Sequence, residues 1–160
     1  MRSNRETISL SWVKEILALN GLTATDTPDQ YAKHDLNVSN NGIIEVKERW
    51  LDKSKFTKYS EEGFILEDIK YKYLLGKKSL YCNLFDFTDI KIALFWDINQ
   101  LHNINIVDMN CKATTSFSNN NYVSKPIHLV NINQCSNIFI YKDNEWTQTD
   151  TKTVFSKIKS

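Results

Sequence analysis

The stretch Ser39–Arg49, SNNGIIEVKER, decides the fold predicted for this chain. It follows a short run of alternating apolar and polar residues. Asn-Asn-Gly between two such runs is typical of a β-hairpin, because Asn and Gly tolerate the positive φ of a tight turn. Side chains two residues apart in a strand share a face. Glu45 and Lys47 are therefore predicted to project together from the second strand, and Ile44 and Val46 from its other face.

The length of the turn decides whether Asp35, on the first strand, joins the face of Glu45. A two-residue turn at Asn-Gly would place Asp35 on the opposite face. A three-residue loop over residues 40–42, with Gly42 at positive φ, pairs Asp35 with Lys47 and brings both to the face of Glu45. We expect the three-residue loop, because it unites the three side chains without a further bulge.

Asp35, followed on the next strand by Glu45-x-Lys47, resembles the catalytic signature of the PD-(D/E)XK nuclease superfamily. His34 stands where that superfamily usually has Pro. A predicted helix before the motif and another after it match the context of the signature, and the resemblance covers about residues 1–100. It implies a protein of the α/β (α+β) class, with a restriction-endonuclease-like αβββαβ core around a mixed central sheet.

The resemblance also implies a site for Mg²⁺ or Mn²⁺. Asp35 and Glu45 would supply hard oxygen ligands, with the backbone carbonyl of Val46 as a third. Lys47 would orient or deprotonate the attacking water or stabilise the developing negative charge, and the sequence does not choose among these roles. Without the flanking helices, the same residues would be interpreted as a surface salt bridge between Lys47 and Asp35.

Two further residues are site candidates through the resemblance. The superfamily places a Glu of its first helix near the metal, and Glu6 matches that position better than Glu15. Ser3 and Glu6 also fit a capping box, so a structural role for Glu6 remains open. Lys70 corresponds to a Lys or Gln that lies beside the scissile phosphate in the superfamily. The alternative to this role is that Lys70 is simply a solvated residue on the flank of a helix.

The composition fits one domain. The chain has 160 residues, of which 41% are hydrophobic and 24% charged, and no apolar run long enough to span a bilayer. It is therefore predicted to be a single cytoplasmic domain over residues 1–160. The abundance of Asn, Lys and Ile is typical of AT-rich genomes and points to a phage or its bacterial host.

The charge balance limits how this chain can bind nucleic acid. Its net charge of +1 excludes a protein that coats nucleic acid non-specifically, because such proteins draw on a basic excess. Contacts with nucleic acid are therefore predicted to be local. The candidates are basic residues in and after the hairpin: Arg49, Lys53, Lys55 and Lys72.

Apolar spacing predicts the remaining elements. A helix is expected over Asn4–Asn20, a loop above the site over residues 50–63, and an amphipathic helix over Phe64–Leu75. Residues after about 100 are interpreted as a β-rich extension (101–160) of the nuclease-like core (1–100). Strands are predicted at Ser79–Asp86, Ile90–Ile98, 104–109, 127–132 and 137–141, and a polar loop at 116–121.

These observations predict a metal-dependent nuclease that hydrolyses phosphodiester bonds, in DNA rather than RNA. A homodimer is compatible with them. The alternative is a non-catalytic protein that retains the nuclease fold and binds nucleic acid or serves in an assembly. The intact set of Asp35, Glu45 and Lys47 favours the enzyme over the alternative.

Overall fold

Four α-helices and ten β-strands form in the residues that the computed structural model describes, which are 3–28, 32–112 and 122–159. The loop predicted for residues 116–121 lies outside these ranges. In chain order the elements are α1 Asn4–Leu19, β1 Ala24–Asp26, β2 Leu36–Val38, β3 Ile43–Arg49, α2 Lys53–Glu62, β4 Phe64–Glu67, α3 Asp68–Leu74, β5 Ser79–Asp86, β6 Lys91–Asp97, β7 Asn105–Lys112, β8 Tyr122–Val130, β9 Asn137–Lys142, β10 Glu145–Thr149 and α4 Thr151–Lys159.

A mixed sheet of seven strands, in the order β1-β2-β3-β5-β6-β9-β10, is the centre of the fold. Strands β3 and β5 are parallel, and the segment between them, α2-β4-α3, crosses from one end of the sheet to the other. The other neighbours are antiparallel. A second sheet has the order β4-β8-β7. The predicted α/β class with a mixed sheet is confirmed.

Each face of the central sheet carries its own hydrophobic core. On one face, α1 packs its buried residues Leu10, Val13, Ile16 and Leu17 against the sheet. The other face is covered by α2, α3, α4 and the small sheet, whose buried residues surround Trp96. Alternation along β5 serves both cores, since Tyr81 and Phe85 belong to one and Cys82 and Leu84 to the other. The strands predicted at 79–86 and 90–98 are confirmed as β5 and β6.

Two predictions between the hairpin and β5 are wrong. Residues 50–63 contain helix α2 rather than a loop, because Asp52 caps its N-terminus through Lys55 N (2.8 Å) and Phe56 is fully buried. The predicted helix Phe64–Leu75 begins as strand β4, in which Phe64 and Leu66 alternate into the core, and becomes helical only in α3. Helix α2 was missed because residues 50–63 are mostly polar and charged. Strand β4 was missed because its apolar residues continue at helical intervals into α3.

The C-terminal part is not a peripheral extension. The strands predicted at 104–109, 127–132 and 137–141 correspond to β7, β8 and β9, and β9 pairs with β6 inside the central sheet. Sequence reasoning did not find β10 and α4. They bury Trp146, Val154 and Ile158, so residues after 100 complete both cores.

Gly63, between α2 and β4, allows a stability test of this arrangement. Its φ is 109°, and a Cβ there would stand 2.7 Å from Leu129 Cβ on β8. Gly63→Ala should therefore lower the free energy of unfolding by about 2–4 kcal/mol, from backbone strain and overpacking together. Gly76→Ala, at φ 80° with open space around it, should cost only about 1–2 kcal/mol. Urea titrations of both variants check this, and equal losses would contradict the packing of β4 on β8.

Candidate metal and catalytic site

The hairpin that carries the predicted site has a register different from the expected one. Leu36 pairs with Ile44, and Val38 N donates to Gly42 O (2.9 Å), so the loop is three residues long but covers 39–41. The positive φ falls on Asn41 (64°) instead of Gly42. The loop predicted at 40–42 is thus wrong by one position, and the predicted register, in which Asp35 faces Lys47 and Leu36 would face Val46, is wrong by two residues.

Asp35 nevertheless reaches β3. It precedes the first paired residue of β2, and its backbone N donates to Ile44 O (3.0 Å). Its carboxylate Oδ2 accepts from Val46 N (2.8 Å) and so continues the ladder of β3 where β2 has ended. This contact places the carboxylate at the edge of β3, next to the backbone of the residue that follows Glu45.

Glu45 is the most perturbed group of the site. Its side chain is 14% exposed and lies on the face of β3 covered by α3, where Lys70 Nζ approaches Oε1 to 3.1 Å. Among the described residues, its Oε2 is buried and has no hydrogen-bond partner. Burial raises the pKa of Glu45 from 4.5 to about 7, and the charge of Asp35 adds to this rise, while Lys70 and Lys47 oppose it without cancelling it.

Two lysines complete the group. Lys70 on α3 bridges Glu45 and the carbonyl of Lys33 (3.0 Å), so it links the helix to both sides of the hairpin. Lys47 is exposed and, being two residues from Glu45, shares its face of β3. The structure therefore brings together four residues of the predicted site, which are Asp35, Glu45, Lys47 and Lys70.

Glu6 has the capping role that the sequence also predicted. Its Oε2 accepts from Ser3 N (3.0 Å), and its backbone N donates to Ser3 Oγ (3.2 Å). Glu6 and Asp35 both line a cavity of about 70 Å³ between α1 and β3. Within the described ranges, no three acidic, His or Cys side chains converge as a metal-binding group. A ligand role for Glu6 stays a prediction.

Three of the four predicted nucleic-acid contacts are engaged within the protein. Arg49 donates to Asn83 Oδ1 (2.7 Å), to Tyr81 Oη (2.9 Å) and to the carbonyl of Ile65, and so ties β3 to β5 and β4. Lys53 is paired with Asp89 (2.7 Å), and Lys72 with Asp68 (2.8 Å). Lys55 is exposed on α2.

Two histidines hold α3 in place. His34 contacts Tyr73 Oη (2.9 Å) on α3 and Asn37 Oδ1 (2.7 Å) on β2. His128 on β8 contacts Asp68 Oδ1 (2.7 Å) and stacks on Tyr71. No local signal connects His128 to Asp68, because they are 60 residues apart.

The raised pKa of Glu45 predicts how stability depends on pH. The unfolded chain ionises this group near pH 4.5 and the folded one near pH 7, so folding loses stability as the pH rises between these values, by on the order of 3 kcal/mol. Glu45→Gln, which stays neutral, should remove this loss. Glu62→Gln, an exposed change at the end of α2, serves as the control. Urea titrations at several pH values without metal check the prediction, and parallel profiles for wild type and Glu45→Gln would contradict it.

Comparisons of this chain with models of protein families, with curated proteins and with solved structures find no match. None of the helices in the described part of the chain is long and apolar enough to cross a membrane. The functional interpretation therefore rests on the chemistry of the residues around Glu45.

Proposed function

We propose that this protein is a metal-dependent nuclease that hydrolyses phosphodiester bonds in DNA, in the cytoplasm of a bacterial or phage-infected cell. One observation carries the proposal. Glu45 keeps a buried carboxylate oxygen without a partner among the described residues, next to the charge of Asp35. A buried acceptor without a hydrogen bond is costly, and perturbed carboxylates of this kind concentrate at functional sites.

A divalent cation fits these residues. Mg²⁺ and Mn²⁺ favour hard oxygen ligands, and both relieve repulsion between neighbouring carboxylates. Asp35 and Glu45 would hold the ion together with the backbone carbonyl of Val46, and Glu6 is a further candidate because its side chain and that of Asp35 line one cavity. The remaining ligands of an octahedral site would be water and substrate oxygen, as is usual for Mg²⁺.

The roles of the protein groups follow from their positions. When bound, the ion supplies Lewis-acid activation of the phosphate and of a water molecule. Lys47, exposed beside Glu45, orients the attacking water or stabilises negative charge that develops on the phosphate. Lys70 offsets the charge of Glu45 and holds that side chain against α3. These residues keep the carboxylates oriented before any substrate arrives.

The element order supports the proposal. Helix α1 is followed by the antiparallel strands β1, β2 and β3, then by the crossover through α2 and α3, and then by β5 parallel to β3. Apart from β4, which lies between α2 and α3, this succession is the one expected of a restriction-endonuclease-like αβββαβ core.

A second candidate function is a non-catalytic protein that retains this fold. Both carboxylates already have protein partners, which supports this alternative. Lys70 pairs with Glu45, and Val46 N donates to Asp35. In that case the cluster only fixes the hairpin against α3, and metal has no effect on the protein.

Lys47→Ala tests the catalytic role. Lys47 is exposed and lies outside both cores, so its loss should change the free energy of unfolding by no more than about 0.5 kcal/mol. Cleavage of linear, circular and branched DNA in Mn²⁺ or Mg²⁺ should nevertheless fall by at least about 100-fold. Lys152→Ala, an exposed lysine on α4, should cleave like wild type. Equal cleavage by wild type and Lys47→Ala would assign the activity to another site or to a contaminant.

Thermal unfolding tests the metal site without a known substrate. A cation at about 100 times its dissociation constant adds about 2.7 kcal/mol of stability, which corresponds to a rise in Tm of roughly 5–10 °C for a domain of this size. Asp35→Asn keeps an acceptor for Val46 N but should abolish the rise. Asp86→Asn, exposed at the end of β5, should retain it. A wild-type protein whose Tm is the same in EDTA and in millimolar Mn²⁺ would favour the non-catalytic protein.

A further inference from the structure

Trp50, the residue after β3, is held in place although it is largely exposed. Its exposed fraction is 65%, and the guanidinium of Arg5 lies over its ring. Arg5 is itself fixed, because its Nε donates to Glu48 Oε1 (2.9 Å) while Ser9 Oγ donates to Glu48 Oε2 (2.6 Å). The carboxylate of Glu48 is 14% exposed. An anchored cation therefore supports one face of the indole, and much of the ring remains open to solvent.

The platform formed by Arg5 and the ring of Trp50 adjoins the candidate site at Asp35. Glu48, which anchors Arg5, lines the same cavity of about 70 Å³ as Asp35. The contact with Arg5 places Trp50 on the α1 side of β3, as it does Glu48, whereas Glu45 and Lys47 project from the other face. A ligand on the ring and a ligand at Asp35 would thus occupy adjacent positions along α1 and the end of β3.

The exposure of Trp50 has no packing explanation. Trp96 and Trp146 are 0% and 7% exposed and belong to the two cores, and Trp12 packs against one of them. An aromatic ring that is preorganised, cation-supported and accessible is suited to stacking on a flat ligand.

We propose that Trp50, supported by Arg5, stacks on an unpaired base of single-stranded nucleic acid next to the candidate site. This deepens the proposed function, from which the choice of nucleic acid as the ligand is taken. Bases inside a duplex already stack on their neighbours, so only a single strand, a flap or an open junction offers a free base face. Every base has such a face, so recognition through Trp50 tolerates sequence.

The charges near Trp50 favour stacking over attraction of phosphates. Glu48 offsets the charge of Arg5, and the whole chain has a net charge of only +1. Binding through lysine and arginine contacts with phosphates weakens steeply with salt because counterions are released, whereas stacking on an uncharged base face releases none. Single-strand binding by this protein should therefore weaken only shallowly as the salt concentration rises.

Fluorescence anisotropy in EDTA, where metal-dependent cleavage cannot occur, tests the proposal. The probes are labelled oligo(dT) and oligo(rU) of about 15 nucleotides, a length that suits one single-strand site, and a blunt duplex of equal length. Trp50→Ala should weaken single-strand binding by about 5- to 150-fold. Trp50→Phe, which keeps a ring, should retain most of the affinity. Leu19→Ala, an equally exposed apolar residue (61%) on α1, is the matched control and should bind like wild type.

Intrinsic fluorescence gives a second readout that a structural role of Trp50 would not produce. Stacking of a base on the indole should quench the emission of the wild type as oligonucleotide is added. The quench should be absent from Trp50→Phe, because the other tryptophans are buried or partly buried. A wild type that binds oligo(dT) but not oligo(rU) would restrict the ligand to DNA and would still support the proposal.

Three results would overturn the inference. They are a wild type that binds no single strand, a Trp50→Ala variant that binds like wild type, and a duplex that binds as tightly as the single strands. The first two would remove nucleic acid as the partner of Trp50, and the third would show that binding does not require an unpaired base. The nuclease proposal is judged separately, by cleavage in Mn²⁺ with Lys47→Ala. A protein that binds single strands through Trp50 but does not cleave them would support this inference and contradict the nuclease proposal. A protein that cleaves DNA through Lys47 but binds single strands without Trp50 would support the nuclease proposal and contradict this inference.

Discussion

The ion pair between Glu45 and Lys70 is the contact on which the site depends. It joins the central strand β3 to α3, the helix of the crossover that leads to the parallel strand β5. Removing a carboxylate from water is costly, and Lys70 and Lys47 do not offset the whole cost when a second carboxylate, Asp35, adds repulsion. The folded protein therefore holds Glu45 in a state of raised energy, which is the condition for binding either a proton or a cation there.

The position of α3 is fixed from both sides to maintain that pair. Tyr73 contacts His34 next to the hairpin, and Asp68 contacts His128 on β8. Helix α3 is only seven residues long, too short to be stable by itself. Its orientation is set by these contacts and by the burial of Leu74, which is 0% exposed. The small sheet thus serves the site indirectly, because it supplies the histidine that anchors the start of this helix.

The sequence predicted those parts of the fold in which a local pattern and the tertiary structure agree. The capping box of Ser3 and Glu6 and the alternation along β5 are of this kind. Strand β4 was missed because Ile65 and Ile69 have helical spacing although Ile69 is 73% exposed. The hairpin loop was predicted one position too late because Asn41 takes the positive φ that glycine usually takes. Gly42 instead packs close to Lys78, whose O lies 3.3 Å from where a Cβ on Gly42 would stand. Contacts across long separations, such as His128 with Asp68, leave no mark in any window of sequence.

The pairing of β9 with β6 has a consequence for the order in which the chain is made and folds. Trp146 on β10 donates to Glu15 on α1 (3.1 Å) across 131 residues, so one of the two cores closes only when the last part of the chain meets the first helix. Topologies with such distant partners fold slowly, since a long loop must close before burial repays its entropy. During synthesis on the ribosome, α1 and the hairpin emerge long before the strands that complete their sheet. Until then the edge of β6 is unpaired and the incomplete sheet is open to association with other chains.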